Sequence, residues 1–386
     1  MSAFITFFLA ILALGNLYAG WRVIARWPWA AQHSTLAYGV VLIVFLLQLM
    51  GPFGDRLWFP RWREELGLGA LAEALDWISY ITLGAVSTLI LVAVAADVAT
   101  WVWKLVAPPA NLVDFNRRTV LTMGAVTLGA TVLGVAQARI GLQVKQVQIP
   151  LRNLPARFEG FTIAQISDLH VGPTIRRGFV QSVVDKVAAL KADMIALTGD
   201  FSDGSVEDLA EHMAPIGQLK APHGMYFITG NHEYFVDPQG WIDHFRTLGA
   251  RVLLNDHEVI RRDEDAILLA GVTDYSTRSA RGAHASSATR ALEGAPEGLT
   301  KIMLAHQPAS YEDTHAAGFD LQLSGHTHAG QYFPFTLLIG LFQRYTGGLS
   351  RHENMWIYVN RGTAYWGPPL RTANAPEITL ITLTRA

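Results

Sequence analysis

Four apolar stretches in the first 140 residues leave the N-terminal part of this chain little choice of fold. They run about Ala3–Gly20, Leu36–Met50, Ile78–Ala96 and Val120–Ala136. The third approaches the roughly 20 residues that cross a hydrocarbon core, and the second and fourth sit near the short limit. A backbone in lipid must satisfy its own N–H and C=O groups, so stretches of this kind become helices. Trp21, Trp27, Trp29, Trp77, Trp101 and Trp103 crowd their ends, as an interfacial aromatic belt does. The other reading is a soluble bundle of buried helices. Such helices carry a polar face, and these carry almost none. Asp97 lies towards the end marked by Trp101, Trp103 and Lys104, which suits an interfacial position.

The charges that set orientation nearly balance. Arg22, Arg26, Lys104, Arg117 and Arg118 lie on the first and third connections, and Arg56, Arg61 and Arg63 on the second. Arg117-Arg118 precedes a stretch rich in Gly, Ala and Thr that ends Ala136-Gln137-Ala138. This resembles a twin-arginine export signal set in mid-chain. On that reading everything after about residue 139 faces outward, with cleavage after Ala138 compatible but not required. An ordinary anchor flanked by two arginines fits the same residues.

Composition narrows the partners. Only 16% of residues are charged, and the shortfall against roughly 25% in an average domain is concentrated in this first region. A net charge of −2 supplies no basic footprint for nucleic acid. The chain has no cysteine, so disulfides and thiolate ligands are excluded.

From Gly141 the pattern becomes that of a soluble α/β domain, which divides the chain into 1–140 and 141–386. Leu142, Val144, Val147 and Ile149 predict an extended segment, and Phe161–Ile166, Met194–Leu197 and Met225–Ile228 predict buried strands. Arg176–Leu190 and Val206–Leu219 read as helices between them, which implies crossover connections and parallel pairing. Further short strands are expected at Val252–Leu254, Val259–Arg261, Ile267–Val272, Ile302–Leu304, Leu321–Leu323, Trp356–Val359 and Ile378–Thr382. Two packed sheets flanked by helices accommodate that number.

Short islands of Asp, Asn and His stand at the ends of these apolar runs. They are Asp168-Leu169-His170, Gly199-Asp200-Phe201-Ser202-Asp203, Gly230-Asn231-His232-Glu233, His306 and Gly325-His326-Thr327-His328. Carboxylate, imidazole and amide donors converging from several strand ends suit a pair of divalent ions. One D-x-H alone means little, and Asp168 or Asp200 alone reads equally as a cap or turn residue. His33, His212, His223, His244, His257, His284, His315 and His352 are assigned no chemistry.

The ordered set D-x-H, G-D-x-x-D, G-N-H-E, lone His and G-H-T-H resembles the calcineurin-like metallophosphoesterases over roughly Gln148 to Leu383. The closing residues Tyr358-Val359-Asn360-Arg361-Gly362, Pro368-Pro369-Leu370-Arg371 and Pro376-Glu377-Ile378 look like the membrane-anchored bacterial phosphodiesterase branch. The resemblance implies an αββα two-sheet sandwich behind an all-α region of four transmembrane helices. It implies that Asp168, His170 and His328 hold one metal and Asn231, His306 and His326 the other, with Asp200 bridging. His232 is then the general acid, with Asp203 orienting it, and Glu233 either belongs to the site or holds the loop that presents Asn231. The donor set suits Mn, Fe or Zn alike.

The activity implied is hydrolysis of a phosphodiester or pyrophosphate bond by metal-bound hydroxide, at a bacterial inner or plasma membrane with the catalytic domain on the outer or periplasmic face. The expected partners are the lipid bilayer and a phosphorylated lipid or lipid-linked substrate. A phosphomonoesterase of soluble substrates and a non-enzymatic metal-stabilised binding or sensor module are the alternatives.

Three further features have two readings each. The run Phe333-Pro334-Phe335-Thr336-Leu337-Leu338-Ile339-Gly340-Leu341-Phe342 either meets the bilayer or an acyl chain, or packs on the sandwich as a buried loop or short helix. Arg361 and Arg371 either clamp a phosphate or pair with nearby carboxylates. Tyr365-Trp366 stands where the resemblance implies small residues, so the pair either narrows the pocket or stacks on a headgroup.

Overall fold

A computed structural model describes residues 2–53, 69–106 and 117–386 apart from 281 and 283, without the side chains of 2–5, 53 and 117. Arg56, Arg61 and Arg63 lie outside the described residues, as does the side chain of Arg117. The chain forms two compact units, Met1–Ala136 with Gly367–Thr372, and Gln137–Trp366 with Ala373–Ala386.

The first unit holds four helices long and apolar enough to cross a membrane, Ser2–Ile24, Ser34–Phe53, Gly69–Val106 and Arg117–Ile140. The third runs 38 residues, well beyond the apolar stretch at its centre. Its extra turns contain Glu73 and Asp76 among alanine and leucine, which favour helix without being uniformly apolar. Several polar side chains inside this unit are paired. Asn16 and Gln48 exchange side-chain amide bonds of 3.1 and 2.9 Å, and Asp97 accepts from Tyr18 at 2.6 Å and pairs with Arg22. Such bonds join helices where the surroundings offer no driving force for apolar association.

The expected division at residue 140 is displaced. The last turn of Arg117–Ile140 belongs to the second unit, because Ala138 is fully buried in that unit's core and the Arg139 guanidinium donates to the Thr174 carbonyl at 3.1 Å. A buried helical Ala138 lacks the exposed, extended backbone that proteolysis favours.

The second unit is a sandwich of two six-stranded sheets. The first contains β1 (Gln143–Leu151), β2 (Thr162–Ile166), β3 (Met194–Thr198), β4 (Met225–Ile228), β5 (Arg251–Val252) and β12 (Glu377–Arg385) in the order β1-β12-β2-β3-β4-β5. The run from β2 to β5 is parallel, as the crossover helices require. The second contains β6 (Asp256–Arg262), β7 (Asp265–Gly271), β8 (Thr300–Leu304), β9 (Leu321–Ser324), β10 (Gly348–His352) and β11 (Met355–Val359) in the order β10-β11-β9-β8-β7-β6. One core fills the space between the sheets, with Ile163, Ala196, Ile228, Leu269, Leu304, Leu323 and Ile381 among its fully buried members. Separate cores lie under the helices on each outer face.

The expected helix from 206 to 219 divides in two. It is α-helical over Val206–Met213, capped by Ser205 accepting from the Asp208 N–H at 3.2 Å, and continues as a 3-10 turn over Ala214–Gln218. Pro215 cannot donate to the preceding turn and tightens it.

Leu304→Ala, beside the strand end that delivers His306, is expected to destabilise this unit by about 2–5 kcal/mol. Urea unfolding of the purified protein followed by tryptophan fluorescence checks the value.

Candidate metal centre

The islands converge because their strands are neighbours in the two sheets. The loops after β2 and β3 are joined main chain to main chain, with Asp168 N on Gly199 O at 3.0 Å, His170 N on Asp200 O at 3.1 Å and Val171 N on Phe201 O at 2.8 Å. The chain after β11 braces the same corner, where Thr363 and Ala364 donate to the carbonyls of Ser167 and Asp168 at 2.8 and 3.2 Å. This gives the closing residues 358–364 a structural role, since Asn360 also anchors to Thr379 and Gly362.

Asp168, His170, Asp200, His326 and His328 all have left-handed backbone, with φ between 48° and 71°. Each costs on the order of 1–3 kcal/mol for a residue with a side chain, and such positions persist only where surrounding contacts over-determine them. Gly199, at φ 85°, makes the close approach possible. A Cβ there would meet the main chain of Gly230 at 2.6 Å and His306 Nδ1 at 2.9 Å.

The side chains fall into overlapping sets. Asp168, His170 and His328 present ligand atoms to one another, as do Asp200, His306 and His326, and Asp200 is also grouped with His170 and His232. His170 Nε2 and His328 Nε2 stand 3.1 Å apart, with Asp168 Oδ1 3.4 Å from the latter. His170 Nδ1 lies 2.9 Å from Asp203 Oδ1, so its proton is held there and Nε2 presents a lone pair. His306 Nδ1 donates to Thr198 O at 2.8 Å, which leaves Nε2 facing Asp200 Oδ2 at 3.0 Å. That nitrogen and the Asn231 side-chain oxygen are buried without a hydrogen-bond partner. Imidazole and carboxylate donors grouped within ligand distance, with an unpartnered buried amide oxygen on the same loop as His232, are the donor set of divalent transition ions, so these residues fit a metal pair.

Burial opposes a charge on His306, but Asp200 outweighs it and raises this imidazole well above its usual range, so a cation bound here would displace a proton. Burial pushes Asp168 up, helped by the charge of Asp200. Burial also opposes ionisation of Asp200, but His306 and His232 outweigh it and hold this carboxyl far below the usual range. Burial, then the nearby His306, lowers His326 to about 3, which keeps its imidazole neutral as a ligand must be.

Asp203 does more than orient His232. Its Oδ1 lies 2.7 Å from His232 Nδ1 and 2.9 Å from His170 Nδ1, so one oxygen holds both rings. Against its burial, those two imidazoles keep Asp203 well below the ordinary carboxylate range. Glu233 is a loop anchor. Its fully buried carboxylate accepts from the N–H groups of Asp200 (3.1 Å), Phe201 (2.8 Å) and Gly230 (2.7 Å).

The two arginines have main-chain partners of their own. Arg361 N donates to Glu377 Oε1 at 3.2 Å, and its side chain runs past Gly347. Arg371 is fully buried in Gly367–Thr372, which groups with the helices, and its N–H donates to Gly134 O at 3.0 Å. Of the aromatic pair, Tyr365 is buried with its hydroxyl on Thr174 O at 3.3 Å, whereas Trp366 is half exposed with its ring 5.5 Å from that of His232. Phe235, also exposed, lies 5.0 Å from the same ring. The sequence reading missed Phe235, because only the turn of helix Asn231–Val236 brings it to His232.

A separate surface group, His315, His352 and Glu353, is already paired internally, His315 with Asn354 at 2.8 Å and His352 with Tyr345 at 3.1 Å.

The profile described as calcineurin-like phosphoesterase matches residues 161–330. A "Transmembrane protein with metallophosphoesterase domain" of Danio rerio is 32% identical, over 99% of this chain and 89% of its own length. The chain belongs to the calcineurin-like phosphoesterase family. A protein of the same description from Bos taurus is 36% identical over 68% of this chain, which spans 61% of that relative. A Helicobacter pylori metallophosphoesterase is also 36% identical, over 62% of this chain and 64% of its own. Members of this family use divalent metals, and the matched segment contains every proposed ligand from Asp168 to His328.

Asp203→Asn is expected to weaken metal binding roughly 10–100-fold, because it releases the ring that presents His170 Nε2. Competition of the purified protein against a fluorescent chelator measures the shift.

Proposed function

We propose that this chain is a membrane-tethered, two-metal hydrolase of phosphodiester or pyrophosphate bonds, acting on lipid-derived or lipid-linked substrates. The observation that carries the reading is the place of Asp200, which groups with His306 and His326 on one side and on the other with His232 and with His170, itself a member of the Asp168–His170–His328 set, while Asp203 holds His232. When bound, divalent ions supply Lewis acidity to the phosphoryl oxygens and to the attacking water.

This chain's own residues supply the proton and the positioning. His232 Nδ1 is held by Asp203, which leaves Nε2 to donate to the oxygen that departs as the P–O bond breaks. Burial disfavours the imidazolium, but Asp200 and Asp203 outweigh it and raise His232 to about 9. The Asp203 carboxylate remains behind the ring after the proton has gone and stabilises its return. Trp366 and Phe235 flank the ring and offer a dry wall to the leaving group. The lipid reading draws on these two exposed aromatics and on the four apolar helices, which support membrane association.

His232→Ala is expected to retain both metals and the folded unit while turnover falls about 10²–10⁴-fold. Because the protonated ring is the active form, turnover should decline as pH rises through its pKa. Cations bound beside the ring lower that value, so the decline falls at or below about pH 9. Rates on monoester and diester forms of one leaving group, and on lipid phosphates in micelles, test the substrate class. Faster turnover of the monoester, or lipids left uncleaved, would overturn it.

The export reading of Arg117-Arg118 places the second unit on the outer or periplasmic face. A C-terminal phosphatase reporter active only after export should then be active, and activity only in a cytoplasmic reporter contradicts that side.

A further inference from the structure

We propose that the segment after His328 inserts into a lipid monolayer and gathers substrate from it. Phe333, Phe335, Leu337, Leu338, Leu341 and Phe342 are all exposed, Leu341 by 76% and Phe342 by 80%. The segment is built rather than frayed, with helix Phe335–Leu338 followed by a 3-10 turn over Ile339–Leu341. Leu337 and Leu338 donate to Pro334 O at 2.8 and 3.2 Å, and the Tyr332 and Phe335 rings pack 5.3 Å apart. The short helix that one sequence expectation allowed is present, but these six side chains are exposed rather than packed away. An apolar patch on ordered backbone marks an interaction surface.

Two observations choose lipid as its occupant. No Asp or Glu occurs between His328 and Glu353, while Arg344 and Arg351 do, a bias that suits an anionic headgroup layer. Arg344 is exposed, and the rings of Tyr311 and Tyr345 beneath it, at 5.6 and 5.8 Å, hold its guanidinium at the surface. The chain also carries four helices apolar enough to cross a membrane, so lipid is an apolar phase within its reach.

The surface leads to the reacting groups. Gln331 exchanges hydrogen bonds with the main chain of Trp366, at 3.0 and 2.9 Å, and the Trp366 ring lies against His232. Insertion at Phe333–Phe342 thus brings a lipid phosphate to the rim of the metal centre without full extraction from the monolayer. Monolayer contact stands independently of catalysis, whereas the delivery of substrate rests on the two-metal reading.

The cysteine-free chain allows a single-label test. Full-length Leu341→Cys carrying an environment-sensitive fluorophore is reconstituted in phosphatidylcholine–phosphatidylglycerol vesicles, with Lys186→Cys on an exposed helix position as reference. Blue-shifted emission at 341, quenched by brominated acyl chains while the reference is not, is the expected result. Emission at 341 matching the reference overturns the insertion, as does a blue shift that follows protein density and ignores brominated lipid, which marks a second copy instead.

In the same vesicles, L341D/F342D should cut turnover of a vesicle-borne phosphoester by an order of magnitude or more and leave a soluble diester unchanged. Equal effects on both, or none on either, overturn the delivery. Absence of all turnover in the unsubstituted protein, with quenching intact, counts against the two-metal reading alone.

Discussion

Four carboxylates withdrawn from bulk water at the strand ends set the terms for everything around them. A buried carboxylate is costly unless it finds donors or opposite charge. Glu233 finds three backbone N–H groups, and in taking them it fixes the turns that carry Asp200 and Asn231. Asp203 finds two imidazoles. Asp168 accepts from the His326 N–H at 2.9 and 3.0 Å, and Asp200 from the His232 N–H at 2.8 Å, yet both retain oxygens among imidazole lone pairs. Bound cations would complete that arrangement, and the reading as two metal sites sharing one carboxylate rests on it.

The same economy explains the division of labour among the histidines. His306 and His170 have their Nδ1 protons fixed by Thr198 O and Asp203, so each turns Nε2 inward. His326 is kept neutral first of all by its burial. His232 differs only in sitting at the edge, beside Trp366 and Phe235, where a proton can be handed out. Ligand and acid are thus separated by position on one lattice of hydrogen bonds.

Much of this was legible in the chain because each ligand stands within a few residues of an apolar run. The strands β2, β3 and β4 and the parallel order followed from that alternation, and the αββα arrangement from the family resemblance. What was not legible depends on distant segments meeting. Asp203 serving two rings, Trp366 reaching His232 across 134 positions of sequence (366 − 232), and Arg371 disappearing into the first unit all arise from packing that no local spacing encodes. Helix Pro238–Thr247 was missed although its signals were local: Asp237 caps it through Gly240 N at 2.8 Å, Pro238 opens it, and Trp241, Ile242 and Phe245 face the core. The run Phe333–Phe342 offered two readings, because an apolar stretch of that length is compatible with burial or with lipid until its exposure is known.

The shared carboxylate is tested most directly by electron paramagnetic resonance of the manganese-loaded protein. Ions bridged by Asp200 would lie roughly 3.5–4 Å apart and be exchange-coupled. The account predicts a multiline spectrum with hyperfine spacing half that of a lone manganese ion, collapsing in Asp200→Asn. A six-line spectrum of isolated ions at full loading would contradict it.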